Sequence, residues 1–511
     1  MGACTGSFAV TTVLAIGLSG FGGQALAQDQ GPDSPAEHRS QRVVLYTDLP
    51  VEKAKASLVE LEKVLDFATE HWKRPARGLI ECHVVSDLPR WPTKLPQHVR
   101  EAIEAGAGIT ITQTLRSGGS FQARATVYAS AKGTSVKHEI VHAYCRQAFG
   151  EVGPLWYAEG MAEMGQYFSP DAPGVNCEAG LARHLRTTPA PPLNDVLAMK
   201  QRTGEGYAWT WSLCHVLANH PRYQDRFRQL GLALVAGKKG ELRTAFTRHP
   251  AIAKEIECID FERRLMLANL EVGYRADLCA WDWDTEFGPI EPGKTGEVTI
   301  EAARGWQATG LEVKPGDRVP YRTAGGWRLT KNGRAISADG DARGQGKLVG
   351  VLLRVEGPAD ESLRDSSRLV ETRPRGLQLG EPFELGRQGT WTAREAGRLY
   401  VRCRDAWHEL ADNESSITLT LPRLTVAASA KTAAKGTKSP SSKTASKPAT
   451  ASKPTPKLSQ AEADAASRLR VAKLLMKSKP ELAKQRLAEL IERYPDSPAA
   501  KEAGELLKEL E

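Results

Sequence analysis

The chain reads as a multidomain protein, with an α+β domain over about residues 40–275, an all-β sandwich over 285–425, a polar linker over 426–458 and a short helical tail over 459–511. Three observations predict this order. A length of 511 residues exceeds one ordinary hydrophobic core, implying roughly two to four domains. Near Asp282 helical spacing gives way to short alternating runs broken by Gly, Pro and Asp. After residue 426 the composition collapses: Ala427 to Lys457 is almost entirely Lys, Ser, Thr, Ala and Pro, too polar to bury a core of its own.

Ahead of the first domain, an apolar run from Phe8 to Leu18 is followed by glycines and then Ala25-Leu26-Ala27, a small-x-small cleavage site before Gln28. This predicts a signal peptide over 1–27, although no Lys or Arg precedes the run. Gly17, Ser19, Gly20, Gly22, Gly23 and Gln24 dilute the stretch below transmembrane hydrophobicity, and Cys4 lies ahead of it, which argues against a lipid anchor. No later segment reads as a bilayer span, so the expected location is secreted or periplasmic. Export would place Cys82, Cys145, Cys177, Cys214, Cys258, Cys279 and Cys403 where disulfides are permitted. Seven is odd, so at least one is free or paired between molecules. No CxxC pair occurs, which argues against a cysteine-based zinc site.

The net charge of +8 does not mark a nucleic-acid surface. Seven Lys and no acidic residue lie between Lys431 and Lys457, and removing their charge leaves +1 for everything else. The excess belongs to a solvated linker.

In the α+β domain, Arg42 to Tyr46 reads as a strand, and Glu52 to Trp72 as a helix on Leu58, Leu61, Val64, Leu65 and Ala68. Leu79 to Val85 and Ala123 to Ala129 read as further strands. Gly133, Thr134 and Ser135 form a turn and cap for a helix over Val136 to Phe149, closed by Gly150. Helices dominate onward to about residue 272, including Tyr207 to Ala218 and Tyr223 to Ala236. Between Gly296 and Leu421 the runs EVTIEA, LEVKPGDRVPYRT, KLVGVLLRV, RLYVRCR and SITLTL have sandwich spacing. In the tail, Ala465 to Lys477 and Pro480 to Arg493 are amphipathic, and Asp496 caps a third helix. The YPDSPAAKEA stretch resembles a tetratricopeptide-type helix pair.

The chemistry is carried by His138-Glu139-Ile140-Val141-His142, an HExxH motif. Residues i and i+4 share a helix face, so both imidazoles can reach one zinc ion, while Glu139 sits beside them as a general base. A catalytic zinc takes three protein ligands and an open position. Further on, Trp156-Tyr157-Ala158-Glu159-Gly160-Met161-Ala162-Glu163 resembles the second half of the gluzincin metallopeptidase signature, W-x-x-E-G-x-A, seventeen positions after His142. The resemblance implies Glu159 as third ligand and Glu163 as the group orienting a histidine through its free ring nitrogen. RVVLYTDLP, the long helix, the VYAS strand and the HExxH helix are together similar to secreted peptidase MA-like proteins over residues 40–270. That family implies an edge strand pairing with extended peptide substrate, here Arg124 to Ala129, and a Tyr or His steadying the oxyanion. Tyr207 is the candidate for that role, and His215 a poorer one that reads as structural.

Residues 290–422 resemble the calcium-dependent galactophilic lectins of bacteria, through Trp306-Gln307-Ala308-Thr309-Gly310, VKPGD, AGGW ending at Trp327, KLVG and RLYVRCRD. The resemblance implies calcium held by Asp405, Asp412 and Asn413, and a carbohydrate partner whose hydroxyls join the ion. The expected activity is hydrolysis of peptide bonds in a peptide or protein substrate. The rival is a non-catalytic carbohydrate- or surface-binding protein on a peptidase-like scaffold. A glycosidase with paired carboxylates has no support beyond the lectin-like region.

Overall fold

The computed structural model describes residues 35–91, 95–117, 120–200, 203–238, 245, 255–291, 293–355, 376–422, 469, 480–495 and 497–509. The signal peptide expected over 1–27, the linker expected over 426–458, the helix expected over 465–477 apart from Leu469, and the expected Asp496 cap lie outside the described residues. The chain divides into two compact units, one before residue 425 and one after it.

The first unit opens on a five-stranded sheet of β1 (Ala36–Arg39), β2 (Val43–Thr47), β3 (Ile80–Val85), β4 (Gly108–Ser117) and β5 (Ser120–Ser130), ordered β1-β2-β3-β5-β4. β2, β3 and β5 run parallel, while β1 and β4 are antiparallel to their neighbours. Period-2 alternation sends Leu45, Cys82, Val84, Ala125 and Val127 to one face. There they bury against α1 (Val51–Trp72), through Leu58, Leu61 and Leu65. On the other face Tyr46, His83 and Tyr128, paired in register, stack with centroids 5.0 and 4.7 Å apart. α2 (Gln97–Glu104) covers part of that face with Val99, Ala102 and Ile103.

Two expectations are corrected by this sheet. Arg124 to Ala129 is not an edge: β5 is flanked by β3 and β4, and the edge is β4. The physical reason is the antiparallel pairing of β4 with β5, in register from Gly108↔Ala129, which lays one more strand outside the run before the metal-motif helix. That helix, α3 (Ser135–Phe149), also starts without the expected side-chain cap, since the Thr134 hydroxyl makes no capping bond.

Helices fill the rest of the α+β domain: α4 (Leu155–Gln166), α5 (Ala179–Thr187), α6 (Leu193–Leu197), α7 (Gly204–Asn219), α8 (Gln224–Val235) and α9 (Glu255–Ala268). α4 and α7 approach closely at Gly160, where a Cβ would come within 2.5 Å of Cys214 Sγ and 2.8 Å of the Thr210 carbonyl. Glycine is therefore required for α4 to lie against α7.

The sandwich follows with β6 (Thr295–Glu301), β7 (Gln307–Val313), β8 (Arg318–Gly325), β9 (Leu348–Val355), β10 (Leu377–Leu379), β11 (Phe383–Glu384), β12 (Gln388–Thr392), β13 (Gly397–Cys403) and β14 (Ser416–Pro422). One sheet is ordered β10-β9-β13-β7 with β11 against β9, the other β12-β8-β14-β6. Their inward residues, among them Leu311, Leu352 and Val401 from one and Ile300, Val319 and Leu419 from the other, form a core of their own. The outer face of the first sheet packs Val351, Leu353 and Tyr400 against Phe261 of α9 and Trp281.

In the second unit α10 (Pro480–Arg493) and α11 (Pro498–Glu509) pair through Leu487, Leu490, Ala499, Ala500 and Ala503. Among the described residues no helix is long and apolar enough to cross a membrane. Cys82, Cys145, Cys177, Cys214, Cys258, Cys279 and Cys403 are all buried and unbridged. Burial pushes the thiols of Cys258, Cys279 and Cys403 up to about 12, leaving them protonated and unreactive.

Candidate metal centre

Three side chains converge where α3 crosses α4. His138 Nε2 and Glu159 Oε2 are 3.2 Å apart, His142 Nε2 and His138 Nε2 3.2 Å, and His142 Nε2 and Glu159 Oε2 3.5 Å. A tetrahedral zinc with bonds of about 2.0–2.1 Å has ligand–ligand edges of about 3.3–3.4 Å. The observed triangle therefore has the size that one zinc ion would span. All three residues are buried, and they form a group able to hold a metal.

The charge balance agrees with the geometry. His138 Nδ1 lies 3.1 Å from Glu163 Oε1, so it donates its proton there and turns the Nε2 lone pair towards the centre. Glu139, Glu159 and Glu163 are all within 3% of complete burial, and such a concentration of carboxylates is stabilised by positive charge placed beside it. Without metal, burial opposes protonation of His138, but its hydrogen bonds to Glu159 and Glu163 raise it to about 10. Burial likewise opposes ionisation of Glu159, yet the two imidazoles hold it well below the usual carboxylate range.

Glu139 is held from the edge strand. The Thr110 hydroxyl donates to Glu139 Oε2 at 2.6 Å. Two residues earlier, a Cβ on Gly108 would come within 2.6 Å of Glu139 Cγ. Neither residue was singled out in the sequence. The signal available was the Gly-Ile-Thr-Ile-Thr alternation of β4, which shows a strand but not which helix residue it meets. Tyr207, on the first turns of α7, is fully buried with its ring centroid 5.9 Å from that of His138. His215 stands two turns further along α7, its ring tilted against that of Trp211 with centroids 5.2 Å apart, and lines a separate cavity of about 670 Å³. The structure thus brings His138, Glu139, His142, Glu159, Glu163 and Tyr207 together, and leaves His215 outside.

The sandwich residues Asp405, Asp412 and Asn413 lie on the loop between β13 and β14. Asp405 Oδ1 accepts the Ala406 amide at 2.8 Å, and Asn413 Nδ2 donates to the Ala302 carbonyl at 3.2 Å. Asp405 Oδ2, Asp412 Oδ1 and Asn413 Oδ1 are buried with no protein partner among the described residues. Orphaned, hard oxygen atoms of this kind fit a calcium ion.

No protein-family model matches the chain, and no curated protein matches it. Among the solved structures that do match is the EclA N-terminal domain, a PllA-like lectin, at 14% identity and a TM-score of 0.17. The match covers 25% of this chain and 95% of that one. A likeness at that level says nothing about the activity of this chain.

Proposed function

We propose that the chain is an exported zinc-dependent peptidase with a gluzincin-type α+β domain, a lectin-like sandwich and a tetratricopeptide-like tail. The observation that carries this reading is the His138–His142–Glu159 triangle of zinc dimensions with Glu139 one residue away. Zinc, when bound, would polarise the scissile carbonyl and acidify a water molecule. Glu139 takes the proton of the attacking water and delivers it to the leaving amine, so that one water is consumed per peptide bond. Tyr207 donates its phenolic proton towards the developing oxyanion. Glu163 fixes the tautomer of His138.

The test is metal analysis of the purified protein together with digestion of a broad peptide library. About one zinc per chain with cleavage is the expected result. Zinc without cleavage would favour the scaffold reading instead.

Thr110 supplies a finer test. A hydrogen bond to a charged group is worth about 1.5–3 kcal/mol, so Thr110→Val should lower kcat by roughly 10- to 100-fold. KM and zinc content should be unchanged, and Thr110→Ser should restore the rate. Equal rates for the Val and wild-type proteins would remove Thr110 from the mechanism.

For the sandwich, the three orphaned oxygens favour a calcium ion held by Asp405, Asp412 and Asn413. A carbohydrate partner for that loop depends on an open coordination position at the ion.

A further inference from the structure

The loop bearing these oxygens does not stand clear of the α+β domain. Leu410 is fully buried and belongs to the hydrophobic core of that domain, alongside Leu270, Tyr274 and Cys279. Trp407 packs against the same core and stacks on Tyr274, with centroids 6.4 Å apart. His408 Nδ1 pairs with Glu271 Oε2 at 2.9 Å, and a Cβ on Gly273 would come within 3.2 Å of the His408 carbonyl. From beneath, the buried Arg402 lays its guanidinium 3.8 Å over the Trp407 ring and donates to the carbonyls of Cys403 and Asp405. The stretch between the oxygen-bearing positions is therefore the plug by which the sandwich enters its neighbour.

Asn413 is only 6% exposed, and its Oδ1 lies buried without a partner, as do Asp405 Oδ2 and Asp412 Oδ1. Two carboxylate oxygens and an amide oxygen left this way destabilise the plug unless a cation meets them. An ion bound there would be held in the same nine-residue loop that fills the domain junction.

We propose that calcium at Asp405, Asp412 and Asn413 is a rivet that fixes the sandwich to the α+β domain, and not a receptor for sugar. This goes beyond the peptidase reading and rests on the calcium reading of the loop. The test is hydrogen exchange on the full chain in calcium-free buffer, with calcium then titrated in, with and without galactose. At calcium about 100-fold above its Kd, exchange should slow by up to about 100-fold. That protection should appear in residues 403–415 and also across the junction, in 271–281. Asp412→Asn should abolish both responses. Leu410→Ala, which removes the plug and no oxygen, should keep the first and lose the second. Galactose should add nothing. Protection confined to 403–415 in the wild type would overturn the rivet while leaving the calcium reading intact. No calcium response anywhere would overturn both. Calcium-dependent galactose binding would show an open ion and overturn the rivet in favour of a receptor.

Discussion

Glu139→Gln should leave the zinc in place and the fold intact while lowering kcat by roughly 10²- to 10⁴-fold, the range expected for losing a general base. The substitution is nearly isosteric, so it respects the space kept open by Gly108. The amide oxygen of Gln can still accept from the Thr110 hydroxyl, 2.6 Å from the present carboxylate oxygen. Only the ability to take a proton is lost. His142→Ala should fail differently. It removes one corner of the triangle, at 3.2 and 3.5 Å from the other two, and zinc should be lost along with activity. The zinc-linked part of the stability should go too, about 4 kcal/mol if zinc stands at 1,000 times its Kd. Metal content, kcat and thermal unfolding measured on both variants separate the two roles. A Gln variant with full activity would sink the proposed mechanism, and so would an Ala variant that keeps both zinc and rate.

The difference between what the sequence revealed and what it hid follows the range of the interactions. His138 and His142 are one helical turn apart and could be read from spacing, whereas Glu159 was indicated by the resemblance of its local stretch to the gluzincin signature. The strands β2 and β3 and the helices α1, α3 and α7 were equally legible, because each carries its own periodicity. Thr110 was not, because its role depends on β4 pairing with β5 in a register that places it against a helix 29 residues further on. β4 itself was not among the strands read from the sequence, although Gly-Ile-Thr-Ile-Thr alternates. The same holds for Leu410. Nothing in the loop sequence indicates that this leucine completes the core of a different domain. Cysteine number raised a disulfide question, and the seven cysteines among the described residues are all unbridged, which no count could show.

Glu262→Ala should destabilise the protein by about 3–5 kcal/mol, a large share of a typical stability of about 5–15 kcal/mol. Glu262 is buried on α9, and its two oxygens gather groups from three directions. Oε2 meets His220 Nε2 at 2.5 Å and the Trp281 amide at 3.0 Å. Oε1 accepts from Tyr223 at 2.7 Å and from the Trp283 indole at 2.7 Å. Removing the carboxylate leaves these donors buried and unsatisfied, at the corner where α7, α8 and α9 meet the segment leading into the sandwich. The pH dependence gives the signature. Burial raises the Glu262 carboxyl, but the His220 charge and the hydrogen bonds from His220, Trp283 and the Trp281 amide outweigh it and hold the group below 4.5. A carboxyl depressed in the folded state stabilises above its unfolded value and loses that contribution as pH falls through the folded one. The stability gap between wild type and Glu262→Ala should therefore be full at neutral pH and begin to close below about pH 4.5. Urea unfolding at a series of pH values measures it. A gap that stays constant to about pH 3 would mean that the loss comes from the cavity alone, and that the Glu262 charge does not hold this corner together.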